Sequence, residues 1–242
     1  MTEKINVLGI EMDCLTAKEI MIRVMQFMED DLVDTIEMLS MDDLMRGRDD
    51  EGWKALTEQL EIVLPGEADI LKAAEVNDRV RLKETENGTF FRLFMKYLQK
   101  NRKKVFLLAG TEEQLDRLEN ITRRYSRGLR VAGSGLLDQD GSGEEKIIND
   151  INGAEADCVL SALGSPYQEE FIGRSRALLC TKLWLGCGPI SEEDAGNGGI
   201  FARMKRFVLK KMFLRQAGKE KNLAEIRGCL KVCPPFVNNV QR

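Results

Sequence analysis

The segment 162–171, Ala-Leu-Gly-Ser-Pro-Tyr-Gln-Glu-Glu-Phe, holds several residue types that could do chemistry next to one another. Ser165 before Pro166 predicts a helix N-cap, and Gln168 three residues later predicts the reciprocal bond of a capping box. The alternative is that the first turn of this helix offers its backbone N–H groups to a diphosphate. Glu169 would oppose an anion there, so it is expected to bind hydroxyl groups or only to favour the helix dipole.

The 242-residue chain contains no histidine, which excludes Ser-His-Asp triads, Cys-His pairs and histidine-ligated zinc. Acid–base chemistry therefore falls to carboxylate, lysine, tyrosine or cysteine side chains, or to the substrate itself. The chain lacks a P-loop, and its first strand ends without the G-x-G-x-x-G pattern of dinucleotide sites. No cofactor is therefore expected.

The cysteines are predicted to be free thiols, because a large α/β core commonly buries unpaired cysteine. Cys229 and Cys233 lie four residues apart, a spacing that could suit a metal ion, but no second pair follows them. No metal site is therefore predicted. The six residues are Cys14, Cys158, Cys180, Cys187, Cys229 and Cys233.

Apolar runs of strand length alternate with segments of helical periodicity, a pattern that predicts parallel strands joined by crossover helices. The expected fold is α/β, with a Rossmann-like, mostly parallel sheet, helices on both faces and a basic helical appendage at the C-terminus. The charged stretch 72–87 is predicted to be irregular. The predicted strands are 4–12, 35–39, 62–64, 105–109, 129–132, 157–163 and 183–185.

Helix starts follow from capping residues and apolar spacing. The segment 40–59 is predicted to be helical, although Gly47 and Gly52 weaken it. Capping boxes are predicted at Thr16–Glu19, Thr111–Gln114 and Ser142–Glu145. Ligands of such sheets lie beyond the carboxyl ends of the strands. The loops of interest therefore contain Ser40, Gly66, Gly110, Gly133, Gly164 and Gly188.

The composition changes beyond the glycine-rich segment 196–199, which predicts an α/β domain over residues 1–195 and an appendage over 196–242. Residues 200–221 mix basic and apolar side chains, as helices on anionic membrane surfaces do. The equal alternative is a helix docked on the body with its basic face in solvent.

The remaining partners follow from charge and hydropathy. A net charge of −4 gives no reason to expect nucleic acid as a partner. No apolar run approaches the roughly 20 residues of a membrane span, and the first residues lack the apolar core of a signal peptide. The protein is therefore expected to be cytoplasmic, or peripheral at the inner face of the cell membrane.

The stretch Leu-Gly-Ser-Pro-Tyr-Gln-Glu at 163–169 resembles the G-x-P-x-Q-E signature of the WecG/TagA/CpsF glycosyltransferases. Three further blocks, at 5–10, 105–110 and 185–188, resemble that family's opening strand, central F-L-L-G-G turn and G-V-G turn. The ordered set covers roughly residues 4–190. The resemblance implies transfer of a hexosamine-type sugar, often N-acetylmannosamine, from a UDP-sugar donor to a lipid-linked sugar acceptor.

The resemblance also implies roles for individual residues. Gln168 would take part in catalysis, and Glu67, one residue after the position of the family's base, is the candidate for the general base. The residues implied in substrate binding are Ser40, Gly110, Thr111, Gly164, Ser165, Pro166, Glu169 and Gly188.

Several family positions are changed in this chain. Where the family's second strand ends in T-L-N, this chain has Met-Leu-Ser at 38–40. Where its third strand ends in P-D-G, with the Asp as the proposed base, this chain has Gly66; Glu67 or Asp69 would have to replace that carboxylate. Two alternatives therefore stay open. One is an inactive relative that binds a sugar nucleotide or a protein partner, and the other is an unrelated α/β binding module whose motifs only cap helices.

Overall fold

The computed structural model describes residues 3–138, 141–188 and 206–221. Its centre is a six-stranded parallel sheet in the order β4-β3-β8-β7-β5-β6, which confirms the predicted Rossmann-like α/β fold. The sheet strands are β3 (Asp34–Leu39), β4 (Ile62–Pro65), β5 (Lys104–Ala109), β6 (Arg130–Leu136), β7 (Cys158–Ala162) and β8 (Leu183–Gly186).

Helices cover both faces of this sheet, as expected for parallel strands that are buried on both sides. One face packs against α1, α6 and α7 around Phe94 and Leu107, and the other packs against α8 and α9 around Phe171 and Trp184. The helices are α1 (Ala17–Phe27), α2 (Met41–Gly47), α3 (Glu51–Thr57), α4 (Ala68–Ala73), α5 (Arg79–Glu86), α6 (Thr89–Lys100), α7 (Glu112–Tyr125), α8 (Glu144–Gly153) and α9 (Tyr167–Ser175), with a 3-10 turn at Arg176–Leu178.

The predicted first strand over 4–12 is wrong, because the chain folds there into a hairpin of β1 (Lys4–Val7) and β2 (Ile10–Asp13). The two-residue turn at Leu8 and Gly9 has positive φ at both positions, the geometry that matches the twist of paired strands. This hairpin forms a sheet of its own. It is joined to β4 by Asp13, whose Oδ2 accepts a hydrogen bond from the Val63 N–H at 3.1 Å.

The predicted single helix over 40–59 is two helices, α2 and α3, with the break after Gly47. A Cβ at Gly47 would overlap the indole of Trp53, so this glycine lets α3 fold back with its tryptophan buried. The loop predicted at Gly133 is also wrong, since Gly133 lies inside β6, where it leaves room for the ring of Phe106.

The stretch 72–87, predicted to be irregular, is largely helical in α4 and α5. Helix α5 buries none of its residues, so it carries no apolar periodicity that a sequence could reveal. Its start is fixed instead by Asp78, whose Oδ1 accepts hydrogen bonds from the N–H groups of Val80 and Arg81.

The capping box of Thr16 and Glu19 is confirmed at α1. The box at Ser142 is wrong, because α8 begins at Glu144 after Gly143, which has φ of 84° and no side-chain cap. At α7, Thr111 caps the helix, but Gln114 Oε1 accepts from the Gly110 N–H at 3.1 Å rather than from Thr111. The Gln114 side chain therefore bonds to Gly110, one residue before the predicted partner Thr111.

Residues 206–221 form a helix, α10, that is docked on the body. Phe213 is 0% exposed in a cluster with Met12 and Leu39, while Arg206 pairs with Glu67 at 3.2 Å and Lys210 with Asp69 at 2.9 Å. This part of the appendage is therefore docked on the body, with two of its basic side chains paired to carboxylates rather than turned to solvent, and binding of its outer face to a membrane stays a prediction.

Several predictions fall outside the described residues: the glycine-rich segment 196–199, the first part (200–205) of the basic and apolar segment 200–221, and the thiols of Cys229 and Cys233. The division into domains at 195 and 196 stays a prediction. Cys14, Cys158 and Cys187 are buried free thiols and Cys180 is an exposed one. Within the described part of the chain, no helix has the length and apolar character needed to cross a membrane.

Candidate functional site at the carboxyl edge of the sheet

Five of the loops singled out in the sequence lie at one edge of the sheet, because parallel strands all end on the same side. Along the strand order β4-β3-β8-β7-β5, the edge carries Gly66, Ser40, Gly188, Gly164 and Gly110 in turn. With strands about 4.8 Å apart, these five turns span about 20 Å. They therefore form one continuous edge of the length that an extended ligand would cover.

The start of α9 differs from the predicted capping box. Pro166, not Ser165, is the N-cap, and no side chain caps the helix. The Ser165 hydroxyl donates to Glu169 Oε1 at 2.5 Å, and the Gln168 amide Nε2 donates to Glu37 Oε2. Both side chains are thus drawn to buried carboxyl groups, and the backbone at the helix end is left uncapped by them.

A cluster of buried carboxyl groups lies beneath this turn, formed by Glu37 of β3, Asp43 of α2 and Glu169 of α9. Burial, and then the nearby Glu169 and Asp43 carboxyls, raise the pKa of Glu37 well above its usual value, against the hydrogen bond from Gln168. Burial also raises the pKa of Glu169, despite hydrogen bonds from Ser165 and from the indole of Trp53 at 2.9 Å. Burial therefore disfavours the charged forms of Glu37 and Glu169, while Asp43 is paired with Arg46 at 2.9 Å.

Gly186 on β8 provides the room for this cluster. It is opposite Glu37 in the sheet register, and a Cβ at Gly186 would overlap both the Glu37 carboxyl and the Gln168 amide. Gln168 and Glu169 are each only 1% exposed. Within the described residues, Gln168 Oε1 and Glu169 Oε2 have no hydrogen-bond partner. The two side chains predicted to meet substrate are therefore directed into the protein.

Two further residues predicted to bind substrate cap helices. Ser40 is the N-cap of α2, accepting from the Asp43 N–H at 3.1 Å and donating to Asp43 Oδ2 at 2.6 Å. Thr111 accepts from the Gln114 N–H at 3.2 Å. The turn around Gly164 is more open, because Gly164 has φ of 80° and a Cβ there would meet nothing within 4 Å. Pro166 is exposed beside it.

Glu67, the candidate base, has partners on both of its carboxyl oxygens. Its Oε1 accepts from the Met41 N–H at 3.0 Å and its Oε2 pairs with Arg206 at 3.2 Å. Its side chain is only 11% exposed. The other candidate, Asp69, accepts hydrogen bonds from Lys210 and Lys72. Burial acts to raise the pKa of Asp69, but these bonds keep it below its usual value. A catalytic role for Glu67 stays a prediction.

A small cavity opens where β3 and β4 end, on the face of the sheet that packs against α1 and α6. It has about 50 Å³ of space for water-sized spheres, and Gly66 and Met38 form part of its wall. Most of the lining is apolar, contributed by residues such as Cys14, Leu64 and Phe91. Glu84 of α5 is the carboxylate in this lining among the described residues. Glu67 is not part of the wall.

Glu37, Trp53 and Glu84 are not among the site residues predicted from the sequence. A glutamate in the middle of the apolar strand Thr-Ile-Glu-Met-Leu was a usable signal for Glu37, since buried carboxyls need a special partner. Trp53 and Glu84 lie in α3 and α5, which were predicted as part of one longer helix and as an irregular stretch. The sequence therefore provided no reason to expect either side chain near the carboxyl edge of the sheet. Within the described residues, no group of three or more Cys, Asp or Glu side chains is arranged to hold a metal ion.

Comparison with known proteins gives a family match over most of the chain. No curated protein matches the chain. The model of the Glycosyl transferase WecG/TagA/CpsF family matches residues 5–197, a span that contains the whole parallel sheet and all five edge turns. The chain therefore belongs to the WecG/TagA/CpsF family of glycosyltransferases, which act in cell-surface polysaccharide synthesis.

Proposed function

We propose that this chain transfers a hexosamine-type sugar from a UDP-sugar to a lipid-linked acceptor at the inner face of the cell membrane. The observation that carries the proposal is the family match over residues 5–197, within which the family's turns meet at one sheet edge. Ligands of doubly wound sheets bind at that edge. The reaction needs no redox chemistry, which suits a site built from glycines, hydroxyls and carboxyls.

The donor side of the proposed site lies at the turns after β5 and β7. The open space at Gly164 and the partial exposure of Ser165 leave the start of α9 accessible to a ligand. Helix N-termini present N–H groups that favour phosphate oxygens, and α7 begins nearby after Gly110 and Thr111. These features support a diphosphate lying between the two helix starts, with Gly188 on the acceptor side.

Donor binding gives the first test. Addition of a UDP-N-acetylhexosamine at about 100 times its Kd should stabilise the native protein by about 2.7 kcal/mol, which corresponds to a Tm increase of about 5–10 °C for a chain of this size. The matched control is ADP-glucose at the same concentration, which should give a smaller shift. An unchanged Tm at millimolar UDP-sugar would contradict the proposal.

Membrane association rests on the outer face of α10. Phe207, Val208 and Met212 are 58%, 49% and 55% exposed, next to the basic side chains of Lys211 and Arg215. Lys211 lies over the Phe207 ring, with its Nζ 5.2 Å from the centroid. An apolar stripe flanked by basic groups favours the interface of an anionic membrane. The docked helix would hold the edge at Gly66 close to a lipid-linked acceptor.

Flotation with vesicles tests this face. The double variant Lys211→Glu/Arg215→Glu should bind phosphatidylserine vesicles at least about 10-fold more weakly, because each basic residue near such a surface contributes about 1 kcal/mol. Lys83→Glu/Lys96→Glu, on the exposed surface of α5 and α6, is the matched control and should bind as the wild type does. Equal flotation with neutral vesicles would show that the basic groups are not responsible.

A second candidate is a relative that binds the sugar nucleotide without transferring the sugar. Gly66 provides no side chain for proton transfer, and both oxygens of the Glu67 carboxyl already have partners. This candidate predicts that the donor raises the Tm while no UDP is released in the presence of any acceptor. Release of UDP coupled to glycosylation of the acceptor would exclude it.

A further inference from the structure

We propose that Glu84 is the general base of this chain, accepting the proton of the acceptor hydroxyl in the cavity beside Gly66. The inference rests on the proposed transferase function and names a catalytic residue for it. It follows from one juxtaposition: Gly66, which lacks a side chain, and Glu84 of α5 line the same cavity at the carboxyl ends of β3 and β4.

The carboxyl group of Glu84 is oriented by the backbone of another helix. Its Oε2 accepts a hydrogen bond from the Ala17 N–H at 2.8 Å, in the first turn of α1. A hydrogen bond from a backbone N–H at a helix N-terminus holds the carboxyl group in place. Within residues 3–138, 141–188 and 206–221, Oε1 has no hydrogen-bond or ion-pair partner, so it remains to accept a proton.

The walls of the cavity suit such a base. Met38, Leu64 and Phe91 surround the space with apolar groups, which limit the water that can compete with the acceptor hydroxyl for the carboxylate. Thr85 and Thr89 add hydroxyl groups to the same lining. These hydroxyls can bond to sugar hydroxyl groups next to the one that reacts.

The size of the cavity limits what enters it. A water molecule needs about 10–15 Å³ in this measure, so 50 Å³ holds the equivalent of about four waters. That space accommodates a hydroxyl group and the carbon that bears it, but not a whole hexose ring. The reacting edge of the acceptor therefore enters the cavity, and the rest of the acceptor lies outside it.

The other carboxyl groups near the edge are less well placed. Glu67 and Asp69 are paired with basic side chains of α10. Glu37 alternates with Met38 along β3, so the two side chains lie on opposite faces of the sheet and Glu37 does not line the cavity. Glu84 is thus the carboxylate that shares this space with an entering hydroxyl.

The chemical step balances without any further reactant. The acceptor oxygen forms a bond to the anomeric carbon of the donor sugar, and the bond from that carbon to the UDP oxygen breaks with its electron pair leaving on UDP. The acceptor proton passes to Glu84 Oε1 and then to solvent when the products leave. A positioned base of this kind typically contributes about 10²–10⁴-fold to the rate.

The test compares Glu84→Gln with the wild type in a UDP-release assay, with a UDP-N-acetylhexosamine and a short-chain lipid diphosphate sugar as substrates. Glutamine keeps an oxygen for the Ala17 N–H, so the fold and the Tm should be retained. The expected result is a kcat about 10²–10⁴-fold lower with a donor KM within about twofold.

Glu86→Gln, which changes an exposed glutamate on the same helix, is the matched control and should keep wild-type kinetics. A wild-type rate in Glu84→Gln would overturn the role of Glu84 while the transferase function stands. A large loss in Glu67→Gln with full activity in Glu84→Gln would assign the base to Glu67 instead. Absence of transfer by the wild-type protein with bound donor would overturn the proposed function itself, a result distinct from the other two.

Discussion

Replacing Gly186 with alanine is expected to lower the free energy of unfolding by about 3 kcal/mol or more. Gly186 lies on the central strand β8 with no free space above it, because a Cβ there would overlap Glu37 Oε2 and Gln168 Nε2. Neither group can simply move aside, since both are fully buried and bonded to each other. The added methyl group would break their hydrogen bond and leave a buried carboxyl and a buried amide without partners.

Urea unfolding measures this effect, read as a lower midpoint at an unchanged slope. The matched control is Gly153→Ala at the end of α8, where a Cβ meets nothing within 4 Å. That variant should gain about 0.5–1 kcal/mol, because alanine favours helix more than glycine does. Equal midpoints for Gly186→Ala and the wild type would mean that the Glu37–Gln168 pair is not packed as described.

The second large effect is a loss of stability as pH rises. Burial, together with the nearby Asp30 and Glu61 carboxyls, raises the pKa of Asp34 to about 6, and burial raises the pKa of Glu37 and Glu169 as well. A carboxyl with a raised pKa is protonated in the folded state at a pH where the unfolded chain has lost that proton. Such a carboxyl makes its full contribution to the free energy of unfolding at pH values below its pKa in the unfolded chain. This contribution is lost as the pH rises through its pKa in the folded protein.

The free energy of unfolding should therefore be higher at pH 5 than at pH 8. Asp34→Asn should raise stability at pH 8 by about 1–2 kcal/mol after allowance for solvent screening, and should flatten the dependence between pH 4 and 6. Asp69→Asn is the control, and it should lower the stability at pH 8 instead of raising it. Hydrogen bonds from Lys210 and Lys72 lower the pKa of Asp69 and stabilise its charged form.

Urea midpoints measured from pH 4.5 to pH 8.5 would record both trends. Stability that rises steadily over this range in the wild type would contradict the buried neutral carboxyls. So would an Asp34→Asn variant that is less stable than the wild type at pH 8.

The sheet was predictable from the sequence because its strands are buried on both faces. Continuous apolar runs such as Val105–Ala109 mark such strands directly, and helical spacing between them requires parallel crossovers. The hairpin at β1 and β2 was missed because its turn places Leu8 at positive φ, a conformation that sequence rules assign to glycine, asparagine or aspartate. Gly9 is the one residue of this turn whose type indicates a positive φ.

The site was predictable only at the level of the loops. Strand ends placed Ser40, Gly66 and Gly164 at one edge, which needed only the parallel topology. Side-chain directions depended on tertiary packing: Gln168 turns inward because Glu37 lies beneath it, and the Glu67 carboxyl is engaged because α10 docks there. The position of Glu84 could not be predicted from the sequence, because α5 has no apolar face from which a helix could be inferred.

The account depends most on sugar transfer at this edge, and mass spectrometry of the acceptor measures it directly. Wild-type protein incubated with a UDP-N-acetylhexosamine and a short-chain lipid diphosphate sugar should add one sugar to the lipid for each UDP released. An unmodified acceptor and an intact donor, under conditions where the UDP-sugar raises the Tm of the protein, would contradict the account.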